Sequence, residues 1–293
     1  MKYWNLLNII LNLLTFINSI LAVVICLSVF LLIIFFHRRS RSVPLLLASH
    51  TSSTLLISAF MLADMAASSL LGFAGIVLEQ HGETNWCRWR GFFIHGFLCA
   101  LYDSYILQAG YRLCRVVFYR RKRLHSFPLY LFLVPIESLF GVVSVSPVFL
   151  RGDIIYLRTE YYCQTPFTNI PAIGYVAVRL FLLPILFITL VYVYLLKHVR
   201  KANLSQNNQR RTKQDMRDLI VIRRLLVMLG VLILLGLPSI IFLTILIVTG
   251  HLVNVAYRIG WLSVSFSLVF LAYMLIQLTH PLKRTVKKLF VCH

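Results

Sequence analysis

Seven apolar runs, each long enough to cross a lipid bilayer, dominate this chain, at about 8–36, 43–76, 91–118, 127–150, 170–196, 219–248 and 255–279. Apolar residues make up 59% of the 293 and charged residues 13%, against about a quarter charged in soluble domains. The expected fold is therefore an all-α membrane protein with a single membrane domain over residues 1–293. The connections are short. The longest, about 197–218, contains the polar, charged stretch 204-LSQNNQRRTKQD-215. No internal repeat or soluble domain is visible. The first run is too long for a signal-peptide core and lacks a small-residue cleavage pattern, so it counts as a helix.

Charge orients the runs. There are 29 Lys and Arg against 9 Asp and Glu. Such an excess can point to nucleic acid. In a membrane chain it marks cytoplasmic connections instead. The connections after runs one, three and five, with the C-terminal tail, hold 22 of the 29 cations: 38-RRSR-41, Arg112 to Arg123, Lys197 to Arg224, and 283-KRTVKK-288. The opposite side holds Lys2, Arg88, Arg90, Arg151, Arg158, Arg179 and Arg258. The N-terminus is thus expected outside and the C-terminus in the cytoplasm, with the protein in the plasma membrane. That arrangement needs an odd number of spans.

Of the six cysteines, only Cys87 and Cys163 fall in outer connections under this topology. An oxidising outer face would let them pair. Cys26, Cys99 and Cys114 read as small apolar packing residues. Cys292 follows a basic amphipathic stretch at 281–291 and is a candidate for palmitoylation, with an unmodified thiol the alternative.

Cys87 and Arg112 are 25 residues apart, about 37 Å along a helix, enough to cross the hydrocarbon core and both its edges. One helix would carry a disulfide at one end and an arginine at the other. This arrangement resembles the rhodopsin-like G-protein-coupled receptors. With Cys87 as anchor, 111-YRL-113 falls on that family's Asp/Glu-Arg-Tyr triplet, and Arg112 on its arginine. Pro184 matches the fifth-helix proline, Tyr192 the inner tyrosine, and Pro238 the sixth-helix kink proline. Asp218 falls where many members carry an acid at the foot of helix six. The tail 280-HPLKRTVKKLF-290 resembles the short eighth helix lying along the membrane. The resemblance implies a seven-helix bundle with a heterotrimeric G protein as partner.

The chain departs from the family at several positions. Tyr111 and Leu113 flank Arg112, and Gly236 stands at the sixth-helix tryptophan position. The Asn-Pro-x-x-Tyr stretch falls on 272-AYMLI-276. Leu55 occupies the sodium-site aspartate position, the first-helix asparagine is missing near Leu27, and the fourth-helix tryptophan position falls at or beside Glu137. A receptor-like protein that does not signal is thus an alternative.

Arg112 also has a reading that needs no family. A cation in a membrane helix is costly without a partner. Arg112 would pair with Asp218 while the bundle is closed, and lose it when the foot of helix six swings out, leaving Tyr192 as a partner. Pro184 and Pro238 loosen the backbone where that swing would pivot. The plainer alternative has Arg112 reach the headgroups beside Arg115.

A ligand cavity is expected between the helices, in their outer half. Candidate contacts are Asp64, Ile94, His95, Arg179, Tyr257, Arg258 and Trp261. By the resemblance, Ile94 stands where amine receptors place an aspartate, which disfavours a simple biogenic amine. The two arginines favour an anionic small molecule or peptide. Alternatively Asp64 pairs with Arg258 and Arg179 reaches the interface. Asp103 and Glu137 lie deep in spans three and four, protonated or hydrogen-bonded between helices.

Three classes compete. The first is a ligand-triggered receptor contacting a G protein and membrane lipids. The second is a seven-span zinc hydrolase, for which His50, His95, Asp64 and Asp103 are the available ligands, with no HxxxH or HExxH-like spacing. The third is a transporter or channel, whose expected signs are paired intramembrane charges, helices broken at Gly and Pro, or two related halves; no second half is visible. The sequence favours the receptor, with no cofactor, no catalytic or metal residues and no nucleic acid.

Overall fold

Residues 2–37 contain neither glycine nor proline, and they wind without interruption into α1 (Lys2–His37). The structure, a computed structural model, describes residues 2–37, 42–75, 84–205, 227, 230, 233 and 236–278. Helix α2 (Val43–Phe73) begins with Pro44 in its first turn, where the missing N–H costs nothing. It stops three residues short of the expected end, just before Gly75 turns the chain at φ 72°. Helix α3 (Asn85–Val117) starts earlier than the apolar run does. The Thr84 hydroxyl caps it by accepting the Cys87 amide at 3.3 Å, and its first turns carry Arg88 and Arg90, which no apolar window would include.

The run at 127–150 is two helical pieces, α4 (Phe127–Val143) and α5 (Ser146–Leu150). The break at Ser144 and Val145 precedes Pro147, whose nitrogen has no hydrogen to extend the ladder. The run at 170–196 is also divided. Helix α6 (Ile170–Ala177) passes into a π turn at Val178–Leu182 before α7 (Leu183–Ser205). Pro184 removes the amide that would bond to the Leu180 carbonyl, and Leu183 reaches back five residues to Val178. Helix α8 (Gly236–Thr249) is the described part of the run expected at 219–248, and α9 is Ala256–Leu278.

Five helical stretches are long and apolar enough to cross a membrane: Leu6–Phe35, Val43–Phe73, Phe127–Leu150, Ile170–His198 and Ala256–Gln277. They fit a multi-pass helical membrane protein. The seven expected spans are not all matched. At 33 residues, or about 50 Å, α3 is long enough, but it carries Arg88, Arg90, Asp103, Arg112 and Arg115. It is the polar central helix, packed against α2, α4 and α7. Leu98, Cys99, Leu101, Tyr102 and Tyr105 on it are all buried. Its crossing with α4 is close because Gly141 has no side chain: a Cβ there would lie 2.5 Å from Ala100 Cα.

Polar side chains join the helices in pairs. Asn12 donates to Ser69 at 3.0 Å, Asn18 to Ser265 at 3.3 Å, and Gln108 to Thr51 at 2.6 Å. Leu55 packs fully buried in the core.

The connection from α5 to α6 holds a β-hairpin that the sequence did not announce. Strand β1 (Ile155–Leu157) pairs antiparallel with β2 (Tyr162–Gln164), with Tyr156 opposite Cys163. Its position defines the hairpin end of the bundle.

Candidate functional site

The hairpin is tied to three helices. Cys163 on β2 forms a disulfide with Cys87 in the first turn of α3, with Cα atoms 5.5 Å apart. The expected pair is therefore present. Glu160, in the hairpin turn, meets Arg258 of α9 at 2.9 Å, and Arg258 also donates to the Thr159 carbonyl at 3.2 Å. Two further α9 side chains reach the segment after the turn: Trp261 Nε1 donates to Gln164 at 2.7 Å, and the Phe167 amide donates to the Tyr257 hydroxyl at 2.8 Å. On the third side, Tyr161 adopts φ 61° and lays its ring over Gly72, where a Cβ would come within 2.2 Å of the ring. That ring also meets Phe73 edge-on at 5.2 Å.

Glu160 is 2% exposed and Arg258 5%. Burial pushes the Glu160 carboxyl up to about 7, against the opposing pull of Arg258. The Tyr162 hydroxyl is pushed well above its ordinary value, first by burial and then by Glu160.

Beneath the hairpin lies a cavity with about 90 Å³ open to the centre of a water-sized sphere. Gln164 and Phe167 form its roof. Its walls come from α3 (His95, Leu98), α6 and the π turn (Leu180, Phe181), α8 (Ser239, Leu243) and α9 (Tyr257, Trp261). A narrower space continues past Leu98, Phe181 and Val264 to Tyr102, Tyr105 and Gly236. Phe181 fills the volume that a side chain at Gly236 would need, its ring 3.2 Å from the position of a Cβ there. It packs edge-on against Tyr102 at 5.8 Å.

The expected ligand residues divide into three groups. His95, Tyr257 and Trp261 line this cavity. Asp64 and Ile94 line a separate, smaller space between α2, α3 and the hairpin, together with Arg90. Arg179 and Arg258 line neither cavity. The alternative pairing of Asp64 with Arg258 is replaced by two others. Asp64 pairs with Arg90 across the α2–α3 contact, and Arg258 turns to the hairpin and Glu160. Arg179 does not reach the interface either. It lies buried in the π turn, where it forms a two-pronged pair with Asp103 of α3, one arm at 3.0 Å, and stacks over Phe140. Both arginines are thus neutralised by carboxylates, which removes the argument they gave for an anionic ligand.

Glu137 of α4 is likewise hydrogen-bonded between helices, to His50 of α2 at 2.6 Å. The four potential zinc ligands sit in four different settings: His50 with Glu137, Asp64 with Arg90, Asp103 with Arg179, and His95 on the Gly91 carbonyl at 2.7 Å. Among the described residues no group of three His, Cys, Asp or Glu gathers to hold a metal.

At the other end of the bundle, Arg112 is half-buried in the last turns of α3, and Tyr192 is half-buried on α7 against the core. Pro184 and Pro238 are helical. Asp218, Cys292 and the stretch 281–291 lie outside the described residues. Phe181, Gln164 and Phe167 complete the cavity and were absent from the sequence expectation. No sequence signal singled out any of the three.

The site is thus a mainly apolar cavity in a helix bundle, roofed by a disulfide-held hairpin. No protein-family model matches the chain, and a search of curated proteins finds no match.

Proposed function

We propose that the protein is a rhodopsin-like receptor of seven spans that binds an extracellular ligand in the roofed cavity and activates a heterotrimeric G protein. The observation that carries this reading is the build of α3. One rod is tied at one end by Cys87 to the hairpin over the cavity, and 25 residues later it presents Arg112 ahead of a basic cluster. In this reading the N-terminus and the hairpin are extracellular and the basic connections cytoplasmic, in the plasma membrane. Arg112 is held by Asp218 in the resting state. A ligand that prefers the open arrangement of α8 against α3 shifts the balance by its difference in affinity for the two states, and Pro184 and Pro238 allow the movement.

A compound library screened on cells carrying a promiscuous G-protein reporter tests the reading. Responses that depend on cavity residues support it. Asp218→Ala is expected to raise ligand-free signalling; unchanged basal signalling in a chain that does respond to a ligand would remove the lock. Epitope tags showing both termini in one compartment would remove the topology.

A further inference from the structure

The charged groups near the cavity are already matched with one another, so its ligand must be read from the polar atoms left in the wall. Arg179 faces Asp103 and Arg258 faces Glu160. Among the lining residues there is no Asp, Glu, Lys or Arg. An ion entering this space would lose its hydration without gaining a counter-charge.

Two wall side chains, His95 and Ser239, keep hydrogen-bonding capacity, as do the Gln164 amide nitrogen and the Tyr257 hydroxyl hydrogen, which meet no acceptor among the described residues. His95 is 5% exposed and bonds through Nδ1 to the Gly91 carbonyl at 2.7 Å. A carbonyl only accepts, so Nδ1 carries the proton, and in the neutral ring Nε2 is left as an acceptor. The neighbouring Trp261, edge-on at 5.9 Å, does not supply the donor, because its N–H is given to Gln164. Among the described residues none donates to Nε2. Ser239, across the cavity on α8, likewise has no hydrogen-bond partner among them. The remaining wall is chiefly hydrocarbon and aromatic: Leu98, Leu180, Phe181, Leu243 and Val264.

We propose that the cavity binds an uncharged, largely hydrocarbon molecule of about one ring that carries a hydroxyl, with the hydroxyl hydrogen donated to His95 Nε2. His95 Nε2 is an acceptor that opens on the cavity, and this ligand supplies it with a donor while its hydrocarbon body covers the apolar wall. The inference rests on the reading above only in taking the cavity as a ligand site. It requires no G protein.

Direct binding to the full chain in lipid nanodiscs tests it, by saturation-transfer NMR with four probes of one shape: 4-propylphenol, its methyl ether, 3-phenylpropanoate and 3-phenylpropylammonium. The phenol is expected to bind about tenfold more tightly than the ether, the value of one good hydrogen bond. His95→Phe is expected to bring the phenol down to the level of the ether. Val264→Trp, which fills the space, is expected to abolish both signals, and Leu243→Trp does the same from the opposite wall should the first variant misfold. Tighter binding of the carboxylate or the ammonium overturns the inference. So do equal affinities for phenol and ether, signals that survive both filling variants, or no binding by any probe. Phenol binding without a reporter response upholds this inference and removes the receptor reading. A reporter response with no phenol binding does the reverse.

Discussion

Arg258 of α9 and Glu160 of the hairpin turn meet at 2.9 Å with almost no exposure to solvent. The contact ties the roof of the cavity to a helix on the far side from the disulfide. It is incomplete: Glu160 Oε2 and Arg258 Nε have no hydrogen-bond partner among the described residues. The pair therefore costs desolvation that its geometry only partly returns, which is the physical cause of the raised carboxyl.

That cause fixes a pH dependence. Glu160 sits at about 7 in the folded chain against 4.5 for an ordinary glutamate. The folded state then holds the proton that the unfolded state has released. Stability from this group is fully present below pH 4.5 and declines as pH rises to about 7, by at most about 3 kcal/mol. Thermal unfolding of the wild type and Glu160→Gln across this range checks it. The variant is expected to lose this part of the slope, and parallel curves would count against it.

The disulfide closes a separation of 76 residues. In the chain-entropy account, losing such a link costs about 4 kcal/mol. Cys163→Ser is expected to lower Tm and to speed tryptic cleavage after Arg158, which is exposed in the hairpin turn. Peptide mapping reads both the native Cys87–Cys163 cross-link and the cleavage. A variant as resistant to trypsin as the wild type would show that the other ties hold the roof alone.

Asp103 and Arg179 form a buried pair between α3 and the π turn. Asp103→Asn leaves the guanidinium without its counter-charge, a loss of about 3–5 kcal/mol. The double variant Asp103→Leu with Arg179→Met removes both charges and is expected to recover most of that loss. A double variant no more stable than the single one would show that the loss comes from packing rather than from the unpaired charge.

Gly141 and Gly174 offer an internally controlled comparison. Both are helical, and alanine is a better helix former than glycine by about 1 kcal/mol. A Cβ at Gly174 meets nothing within 4 Å, whereas one at Gly141 would lie 2.5 Å from the Ala100 backbone. Gly174→Ala is expected to leave Tm unchanged or slightly higher, and Gly141→Ala to lower it by forcing α3 and α4 apart. Equal shifts would show that the crossing can widen without loss.

Five of the expected spans were legible because membrane helices are written in composition, which needs no knowledge of neighbours. The Cys87–Cys163 tie was legible because the expected topology left only two cysteines on one side. The hairpin was not: its strands are three residues each, too short for an alternating pattern to stand out in IYLRTEYYCQ. The partner of Arg179 was hidden for another reason. The two lie 76 residues apart on separate apolar runs, and nothing in either run says which of its faces meets the other. The alternative Asp64–Arg258 pair failed because Arg90 lay outside the apolar run assigned to the third span. The added turns at the start of α3 place it beside Asp64.

The loose turn at Val178–Leu182 also divides one rod into two that are phased independently. Five residues occupy a loop of backbone that four would normally close. Deleting one residue there would restore regular winding and rotate everything on one side by about 100° relative to the other. The fifth segment thus contains its own gearbox, in which the loss of a single codon would re-aim the side chains before the turn relative to the half-buried Tyr192 after it.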